Sequence, residues 1–515
     1  MNPIIIILLL INLFGCQKPN HSRPQTLRLN ISSDPYTLDP RCSADKISLN
    51  IDFLLFEGLT RQTQDSTRLA LAEKVDISAD QKTYLFHLRK SFWSDGHPVI
   101  AQDFESAWKK ILDPLFLAPN AALFYVIKNA EAAKRGLIPL SEVGVKALDE
   151  RTLLVELEYP TPYFLELLSF CSFFPYPQHS LGEQFVSNGP FQLVHWKEND
   201  ELLLSKNPLH WEKDKVKLSE IKISIVSCAN TAYEMYMKKE LDFIGLPFIS
   251  LPREALPQLI KKNLIEIKPI AATMICGFNT KRIPFTNANI RKALAFAINR
   301  QVIVDHVTLL NETPATNLIC PLLKKNENDS LFKDADIELA KDLFQQGLQE
   351  LNSDPSIFEK VELTYLSDEL NHRIAQAIQQ QWKEAFNITI KLVKAEHKSY
   401  LNTLGSSDFD IVHAVWFAQF NDPINILERF KFEKNTKNYI RWEHPEFINL
   451  LNASYLAKEE KRFEILKKAE ALFIDEMPLA PIYHWNFAIL STPSLKGVFV
   501  SPIGMVHFEE AYFEP

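Results

Sequence analysis

Glycine and cysteine are both scarce in this chain. Only 13 of its 515 residues are glycine, whereas proline occurs 30 times and phenylalanine 35 times. This composition favours rigid connections and aromatic packing over mobile glycine loops. Beyond Cys16 there are five cysteines, and none forms a C-x-x-C pair, which excludes a zinc ribbon and a thioredoxin-type redox motif. Buried free thiols are the simplest interpretation for most of them.

The sequence also lacks the motifs of common enzymes. It contains no H-E-x-x-H, no G-x-S-x-G, no G-x-x-x-x-G-K-[S/T] and no G-x-G-x-x-G sequence. Its 13 histidines show no metal-ligand spacing, and its net charge of -8 argues against a nucleic-acid partner. We therefore expect no enzyme, no cofactor and no metal site, with an enzyme kept as the alternative from another class.

What is present is an ordinary globular composition on a long chain. Charged residues make up 23% of the sequence and hydrophobic residues 46%, which is typical of folded domains rather than of disorder. A chain of 515 residues has room for two or three domains with large cores. No internal repeat or low-complexity tract is visible, so the domains are expected to differ from one another.

The N-terminus is predicted to be an export signal. Residues 4–11 form an unbroken apolar run that is too short to span a bilayer but fits the core of a secretory signal. Residues 13–16 read Leu-Phe-Gly-Cys and resemble a bacterial lipobox, in which the cysteine is acylated. We predict a signal peptide over 1–15, a lipid on Cys16 and a polar tether over 16–25. The location would be the periplasm or cell envelope, as a membrane-anchored lipoprotein.

Two alternatives to this N-terminal prediction stay open. No lysine or arginine precedes the apolar run, so the basic region of a typical signal is missing. An ordinary cleaved signal and a start site further upstream are the alternatives to the lipoprotein prediction. No other segment is long and apolar enough to cross a membrane.

The most informative segment is 86–114. Residues 84–88 alternate as a strand does, and the Ser-Asp-Gly sequence at 94–96 has the chemistry of a tight turn. Asp103 is predicted to be the N-cap of a helix, because apolar residues follow it at helical spacing. The helix is predicted to stop before Pro114. The segment describes scaffold rather than a pocket.

This segment resembles the signature of the oligopeptide-binding family of bacterial extracytoplasmic solute-binding proteins, family 5. Such proteins capture peptides and hand them to an ABC transporter. Further similarities follow in the order of the family along nearly the whole chain, at residues 33–40, 55–59, 144–149, 188–193, 239–242, 278–300, 422–423 and 481–483. Each is weak alone, and their order and spacing carry the resemblance.

The resemblance implies an α/β fold of the two-lobed periplasmic-binding-protein type, in the cluster that carries an extra domain. Lobe I would combine 26–55, 188–281 and 488–515, the extra domain would be 56–187, and lobe II would be 282–487. Crossings near 281 and 487 would act as hinges around a ligand cleft between the lobes. The implied function is that of a monomeric binding lipoprotein that delivers oligopeptides to the permease subunits of an ABC importer.

The predicted pocket centres on residues 410–423. Apolar residues crowd 411–417, which predicts a buried strand, and a turn follows at 421–423. In the family this strand edge lies in the cleft, and its backbone pairs with an extended peptide. The resemblance assigns these contacts to Val415, Trp416 and Phe417, and it adds Asn421 and Asp422 to the site. A core strand with a structural tryptophan is the alternative.

Two positions depart from the pattern of the family. Relatives usually carry an aspartate for the α-amino group of the ligand where this chain has Gln419, and some carry an arginine for ligand carboxylates where it has His413. Glutamine brings no charge, and a buried ammonium without a counter-ion is costly. We expect weaker binding of free amines, or a ligand whose end is blocked or differently charged. A modified or cell-wall peptide, a dipeptide, or a metal or haem complex are the alternatives.

Further pocket positions are assigned by the resemblance alone. His397 aligns with a position that is often tryptophan, and Tyr483 and Trp485 fall near the cleft. For both histidines a hydrogen-bonded structural role stays open, and for the two aromatic residues packing between the lobes does. A disulfide of some relatives is expected to be absent, because Phe417 and, approximately, Ala272 replace its cysteines.

Overall fold

A computed structural model of the protein describes residues 25–64, 66–179, 185–324 and 329–514, without the side chain at position 459. The predicted signal peptide, the lipidation site Cys16 and all of the predicted tether except its last residue lie outside these ranges. No helix within them combines the length and the apolar character that a membrane span requires.

The strands are β1 Thr26–Ile31, β2 Thr60–Gln62, β3 Thr67–Leu69, β4 Ala72–Ile77, β5 Thr83–Leu88, β6 Val145–Asp149, β7 Thr152–Glu156, β8 Phe191–Lys197, β9 Glu201–Lys206, β10 Glu220–Ile225, β11 Phe243–Gly245, β12 Glu266–Phe278, β13 Thr313–Pro314, β14 Glu362–Leu366, β15 Lys391–Ala395, β16 Ile411–Phe417, β17 Leu479–Ser491, β18 Leu495–Lys496, β19 Phe499–Val500, β20 Val506–His507 and β21 Tyr512–Phe513.

The α-helices are α1 Lys46–Leu55, α2 Ala101–Leu112, α3 Ala130–Lys134, α4 Phe164–Leu167, α5 Ala229–Met237, α6 Leu256–Lys261, α7 Ala288–Phe296, α8 Arg300–Ile303, α9 Ile337–Glu350, α10 Glu369–Phe386, α11 His397–Ser406, α12 Ile424–Leu427, α13 Pro445–Leu456 and α14 Glu459–Glu476. Short 3₁₀ segments include Ala121–Val126 and Glu428–Phe430, and a π-helical turn, Val304–Thr308, continues α8.

One large mixed sheet runs through the molecule. Its strand order is β15-β14-β16-β12-β17-β11-β1-β10-β9-β8, and β13 adds to β17. The strands β1 and β10 pair in parallel, whereas β12 pairs antiparallel to both β16 and β17. A mixed sheet of this kind, covered by helices, is an α/β architecture.

The strands β12 and β17 connect the two halves of the sheet. Residues 266–269 of β12 pair with 486–489 of β17 on the β11 and β1 side, and residues 273–277 pair with 479–484 on the β16 and β14 side. Between these stretches the register shifts, so residues 270–272 of β12 do not pair with β17. A bulge locally bends a strand, and here it separates the two halves of the sheet.

The predicted extra domain holds its own antiparallel sheet, in the order β4-β5-β7-β6, and α2 packs on it. The strand predicted at 84–88 is β5, which confirms that prediction apart from its first residue. Asp103 is not the N-cap of α2, because the helix begins two residues earlier and Ile100 is the cap. Asp103 instead accepts hydrogen bonds from the Ile100 backbone N–H and from Nε1 of Trp93, both at 3.0 Å. In a capping box, the side chain of the third helical residue accepts a hydrogen bond from the backbone N–H of the N-cap residue, and Asp103 does the same here.

The structure agrees with the prediction that most of the cysteines are buried free thiols. The five that the structure describes are all free, and Cys171, Cys276 and Cys320 are buried. The residues expected in place of a disulfide, Ala272 and Phe417, pair opposite each other in β12 and β16. Hydrophobic packing therefore occupies that place, since both belong to one apolar cluster.

The helix α1 carries two ionisable residues of note, Lys46 at its start and Asp52 in its buried face. Asp45 caps the helix by accepting from the Ser48 N–H at 2.9 Å. Asp52 is 0% exposed, and neither of its carboxylate oxygens has a hydrogen-bond partner among the described residues. Burial raises the pKa of Asp52 well above its ordinary value, because a charged carboxylate loses its hydration there.

We expect the contribution of Asp52 to stability to fall as the pH rises above about 4, because unfolding lets Asp52 ionise. The folded state binds a proton that the unfolded chain releases, so this contribution falls by about 1.4 kcal/mol per pH unit up to the folded pKa. Asp52→Asn has no proton to lose and should stabilise the protein at pH 7 but not at pH 4. Urea unfolding at both values measures this, and an equal difference at the two pH values would contradict it.

Candidate functional site

The strand β16 presents an unpaired edge in the middle of the large sheet. On one side it pairs with β12 along its whole length. On the other side it pairs with β14 only at Ile411 and Val412. The predicted strand at 411–417 is confirmed, and its last five residues have no neighbouring strand on this second side in the described part of the chain.

The hydrogen bonds define which backbone groups face this open edge. The Ala418 N–H donates to the Ala271 carbonyl at 2.8 Å, toward β12. Because backbone groups alternate along a strand, Ala414 and Trp416 also face β12. The backbone groups of His413, Val415 and Phe417 therefore face the open edge.

Two of these open-edge groups have partners. The Tyr400 hydroxyl donates to the His413 carbonyl at 2.9 Å, and the Arg429 guanidinium donates to the Phe417 carbonyl at 2.7 Å. Neither the N–H nor the C=O of Val415 has a hydrogen-bond partner among the described residues. The predicted backbone contacts of Val415 and Phe417 are thus placed at an open edge, whereas the sheet already uses the backbone of Trp416.

Aromatic side chains surround the end of β16. Trp416 is 4% exposed, and its ring stacks on Tyr439 with the ring centroids 5.0 Å apart. Phe417 lies on the opposite face, 5.7 Å from the ring of Trp485. The Trp485 ring is in turn 6.0 Å from the buried ring of Tyr483. These rings form apolar walls on both sides of the open edge.

Gln419 reaches across from the β16 side of the sheet to the predicted extra domain. Its side-chain Nε2 donates to Oδ1 of Asn120 at 3.0 Å, and its backbone N–H donates to Oδ1 of Asn425 at 2.9 Å. Asn120 in turn donates to the Ser43 carbonyl at 2.9 Å. Gln419 therefore lies at a contact between the predicted lobe II and the rest of the molecule, and it brings no charge there.

Aromatic contacts also connect the predicted extra domain with the predicted lobe II. The ring of Phe420 stacks on Tyr163 at 4.8 Å with an interplanar angle of 9°, and Tyr455 packs on Tyr159 at 4.5 Å. In both pairs one ring comes from the predicted extra domain and the other from lobe II. The predicted extra domain and the predicted lobe II are thus in contact.

Asp422 and Asn421 are placed outside this edge contact. Both carboxylate oxygens of Asp422 accept from the Arg462 guanidinium at 2.8 Å, and one also accepts from the Ile424 N–H at 2.9 Å. The two side chains are 8% and 2% exposed. Asp422 thus forms a buried bidentate ion pair with α14. Asn421 is exposed in the turn.

The predicted histidines differ in their surroundings. His413 is 1% exposed, and neither ring nitrogen has a partner among the described residues. Burial lowers the pKa of His413 to about 3, so the ring is neutral at physiological pH. His397 is exposed at the start of α11, one turn before Tyr400, which bonds the edge of β16. At neutral pH, therefore, His413 offers no charge to a carboxylate.

Sequence reasoning missed two cations that lie against Phe417 and Trp416, and a third, Lys437, whose charge interacts with that of Arg429. Lys46 Nζ lies 4.4 Å from the centroid of the Phe417 ring and donates to the Ile503 carbonyl at 2.9 Å. The Arg429 guanidinium lies 4.9 Å from the centroid of the Trp416 ring. Burial lowers the pKa of Lys46 to about 7 and also lowers the pKa of Lys437. The charge of Arg429 adds to both effects. No motif marks these residues, because they come from distant parts of the chain.

A possible metal-ligand group lies elsewhere, on the surface of the predicted extra domain. Asp95, His97 and His179 hold one donor atom each within 4.8 Å of one another. Both histidines contact the same carboxylate oxygen of Asp95, at 2.7 Å from His179 and 3.1 Å from His97. These contacts account for the arrangement without an ion. Spacing in the sequence could not reveal this group, since the fold brings His179 to it.

Taken together, the open edge offers backbone donors and acceptors, aromatic walls and cations. These groups are suited to binding. The arrangement fits a strand-like guest that adds to β16.

Comparison with known proteins gives concordant results. Residues 67–438 match the family model described as bacterial extracellular solute-binding proteins, family 5. The chain is 40% identical to the oligopeptide-binding protein OppA of Bacillus subtilis (strain 168), over 97% of this chain and 95% of that protein. It is 34% identical to the dipeptide-binding protein DppE of the same organism, over 96% and 93% of the two chains.

A solved structure gives the same result for the fold. The crystal structure of Haemophilus influenzae OppA in complex with the peptide RPPGFSPFR superimposes with a TM-score of 0.83. The two proteins are 26% identical, and the match covers 96% of this chain and 99% of that chain. The predicted two-lobed α/β fold is therefore confirmed.

Proposed function

Because the chain belongs to the family of bacterial extracellular solute-binding proteins, family 5, we propose that it captures oligopeptides in the cleft between its lobes and delivers them to the permease of an ABC importer. The family consists of binding proteins rather than enzymes. The name of the Bacillus subtilis relative, which is an oligopeptide-binding protein, supports a peptide as the ligand. Peptide transport is accordingly the role that we assign to it.

The observation that carries this proposal is the open edge of β16. Val415 offers an N–H and a C=O that have no partner among the described residues, and Phe417 offers its N–H. An extended peptide can bind such groups through its own main chain. Because every peptide has the same backbone, this mode tolerates many side chains. Trp416, Phe417 and Trp485 supply apolar walls for those side chains.

We also propose that the lobes close by a bend in β12 and β17. The interruption at residues 270–272, where the β12 and β17 ladder shifts register, supports a crossing close to this point. The predicted crossing near 487 lies on β17, beside the paired residue Asn486. Hinge closure around a ligand needs only a few residues that absorb the change in backbone angles.

Native mass spectrometry of the purified protein tests the proposed ligand. After mild denaturation we expect released peptides of several sequences but similar length, since backbone pairing selects for a strand rather than for a sequence. Isothermal titration with a synthetic peptide of that length should then show binding to the emptied protein. Release of a haem, a metal complex or no guest, together with no peptide binding, would contradict the proposal.

A second candidate is a peptide whose N-terminus is blocked or modified, including a cell-wall peptide. Gln419 favours it, because its side chain is uncharged and is engaged by Asn120. An ammonium brought to this place would lose hydration without gaining a counter-ion. A dipeptide, or a metal or haem complex, has no comparable support from the arrangement of the described residues.

N-acetylation of a bound peptide is expected to change its affinity by less than about threefold, because Gln419 cannot neutralise a free amine. Gln419→Asp should favour the free-amine peptide over its acetylated form by about tenfold, which is the effect of ~1.4 kcal/mol. Titration of both peptides into both proteins measures this. A tenfold or larger loss on acetylation in the wild-type protein would show that another group anchors the amine.

Anchoring by a lipid on Cys16 is proposed from the lipobox-like sequence alone, since the residue lies outside the described ranges. It agrees with a family whose members are extracellular, and one lipid chain would need a second signal or a further chain for stable anchoring. Mass spectrometry of the mature N-terminus tests it. An unmodified N-terminus at another residue would contradict it.

A further inference from the structure

The proposed function relies on backbone contacts between the peptide and β16. It makes no use of a group of cations in the cleft. We call Lys46, Arg429 and Lys437 the cation cluster. Lys46 begins α1 in the predicted lobe I, whereas Arg429 and Lys437 belong to the predicted lobe II. Lys46 lies against the ring of Phe417 and Arg429 lies against the ring of Trp416, at the end of the open edge.

No carboxylate balances the cation cluster. Among the ion pairs between described residues, none involves Lys46, Arg429 or Lys437. Arg429 donates through Nε and Nη2 to the carbonyl groups of Asn425 and Phe417, which leaves the protons of Nη1 without a described acceptor. Lys46 has a single carbonyl partner, Ile503. The neighbouring acid Glu428 is turned to the Tyr455 hydroxyl.

Such an arrangement is unfavourable without a guest. Burial lowers the pKa of Arg429 to about 10, and Arg429 contributes to the lowered pKa of Lys46, so the two cations repel each other. Unpaired cations in a partly desolvated site cost free energy. Because Lys46 and Arg429 come from opposite sides of the cleft, their repulsion opposes closure. An anion placed between them removes that cost and favours the closed form.

The two positions at which relatives carry a charge for the ligand are uncharged in this chain at neutral pH. His413 is buried and neutral, and the chain has Gln419 where an acid would be needed to hold an amine. Neither position therefore offers a counter-charge to an ammonium. The ionisable groups that contact Phe417 and Trp416 are the two basic side chains Lys46 and Arg429.

We propose that the cation cluster is a carboxylate subsite, in which Lys46 and Arg429 bind a carboxylate of the peptide beside Phe417. This inference rests on the proposed function and specifies which peptides the cleft prefers. The carboxylate comes from the C-terminus of the peptide or from an aspartate or glutamate side chain. Arginine binds a carboxylate with two parallel hydrogen bonds, and lysine adds a point charge.

Titration with three N-acetylated pentapeptides tests the subsite. The first is Ac-Ala-Ala-Tyr-Ala-Ala with a free carboxylate, the second is its C-terminal amide, and the third is the amide with glutamate at the second position. Acetylation removes the amine, so the only charge is the carboxylate. We expect the wild-type protein to bind at least one carboxylate peptide ten or more times as tightly as the uncharged amide.

Variants connect this preference to the cation cluster. Lys46→Met and Arg429→Met should each reduce the preference for the carboxylate peptide over the uncharged amide at least tenfold. Lys46→Arg should retain it, and Lys197→Met, an exposed cation of β8, should behave as wild type.

The outcomes separate the subsite from the function. Loss of affinity only on amidation assigns the carboxylate to the C-terminus, and tight binding of the glutamate peptide assigns it to a side chain. Equal binding of all three peptides would overturn the subsite while leaving the peptide-binding function intact. An equal loss of affinity for the charged and the uncharged peptides in both variants would also overturn the subsite. A wild-type protein that binds none of the three, and no other peptide, would overturn both.

Discussion

Replacing Val415 by proline is expected to lower the affinity for a bound peptide roughly 10–100-fold, the effect of losing a buried hydrogen bond worth ~1–3 kcal/mol. Proline removes the N–H that faces the open edge and places a ring where the guest strand would lie. The fold should tolerate it, because this N–H does not bond β12 and the position accepts an extended backbone. Titration of one peptide into both proteins measures the effect.

Two neighbouring substitutions provide the controls. Val415→Ala keeps the N–H and removes only part of the side chain, so its affinity should stay within about threefold of wild type. Trp416→Pro removes an N–H that faces β12, so it should lower the thermal midpoint instead. If Val415→Pro binds peptide as tightly as wild type while remaining folded, the guest does not pair with this strand.

Replacing Asp422 by alanine is expected to destabilise the protein by about 3–5 kcal/mol, the usual effect of removing one partner of a buried ion pair. The change leaves the Arg462 guanidinium, 2% exposed, without its bidentate carboxylate. It also removes the acceptor for the Ile424 N–H at the start of α12. Urea unfolding followed by tryptophan fluorescence measures the change.

The double variant Asp422→Leu with Arg462→Met separates charge from packing. Replacing both charges by apolar side chains of similar size should recover most of the lost stability, because no buried charge is left unpaired. Peptide affinity, measured on folded protein well below the unfolding midpoint, should change little in either variant. A large loss of affinity with unchanged stability would instead make Asp422 a ligand contact.

The sequence was a good guide where the signal is local. The apolar run at 411–417 is a strand with the predicted bounds, and the strand at 84–88 is present. Asp103 was predicted to be the N-cap of α2, but it is the third residue of that helix. The prediction was wrong because an acid at either position leaves the same sequence signal. The resemblance to the family supplied the two-lobed fold, which no periodicity in the chain would have indicated.

The site was less predictable because its parts are distant in sequence. Gln419 was singled out, but its partner Asn120 lies 299 residues away in the sequence, in the predicted extra domain. Trp416 was assigned backbone contacts that the pairing with β12 already uses, since periodicity does not tell which edge of a strand is open. Lys46 and Arg429 have no motif, and only the fold brings them to the same aromatic rings.

The most direct test of this account is amide hydrogen exchange, resolved to single residues of β16, with and without a bound peptide. If the guest pairs with the open edge, exchange at the Val415 and Phe417 amides should slow markedly, while the Ala414 and Trp416 amides, which β12 already protects, should change much less. A peptide that binds tightly while the Val415 amide exchanges at its original rate would contradict the account.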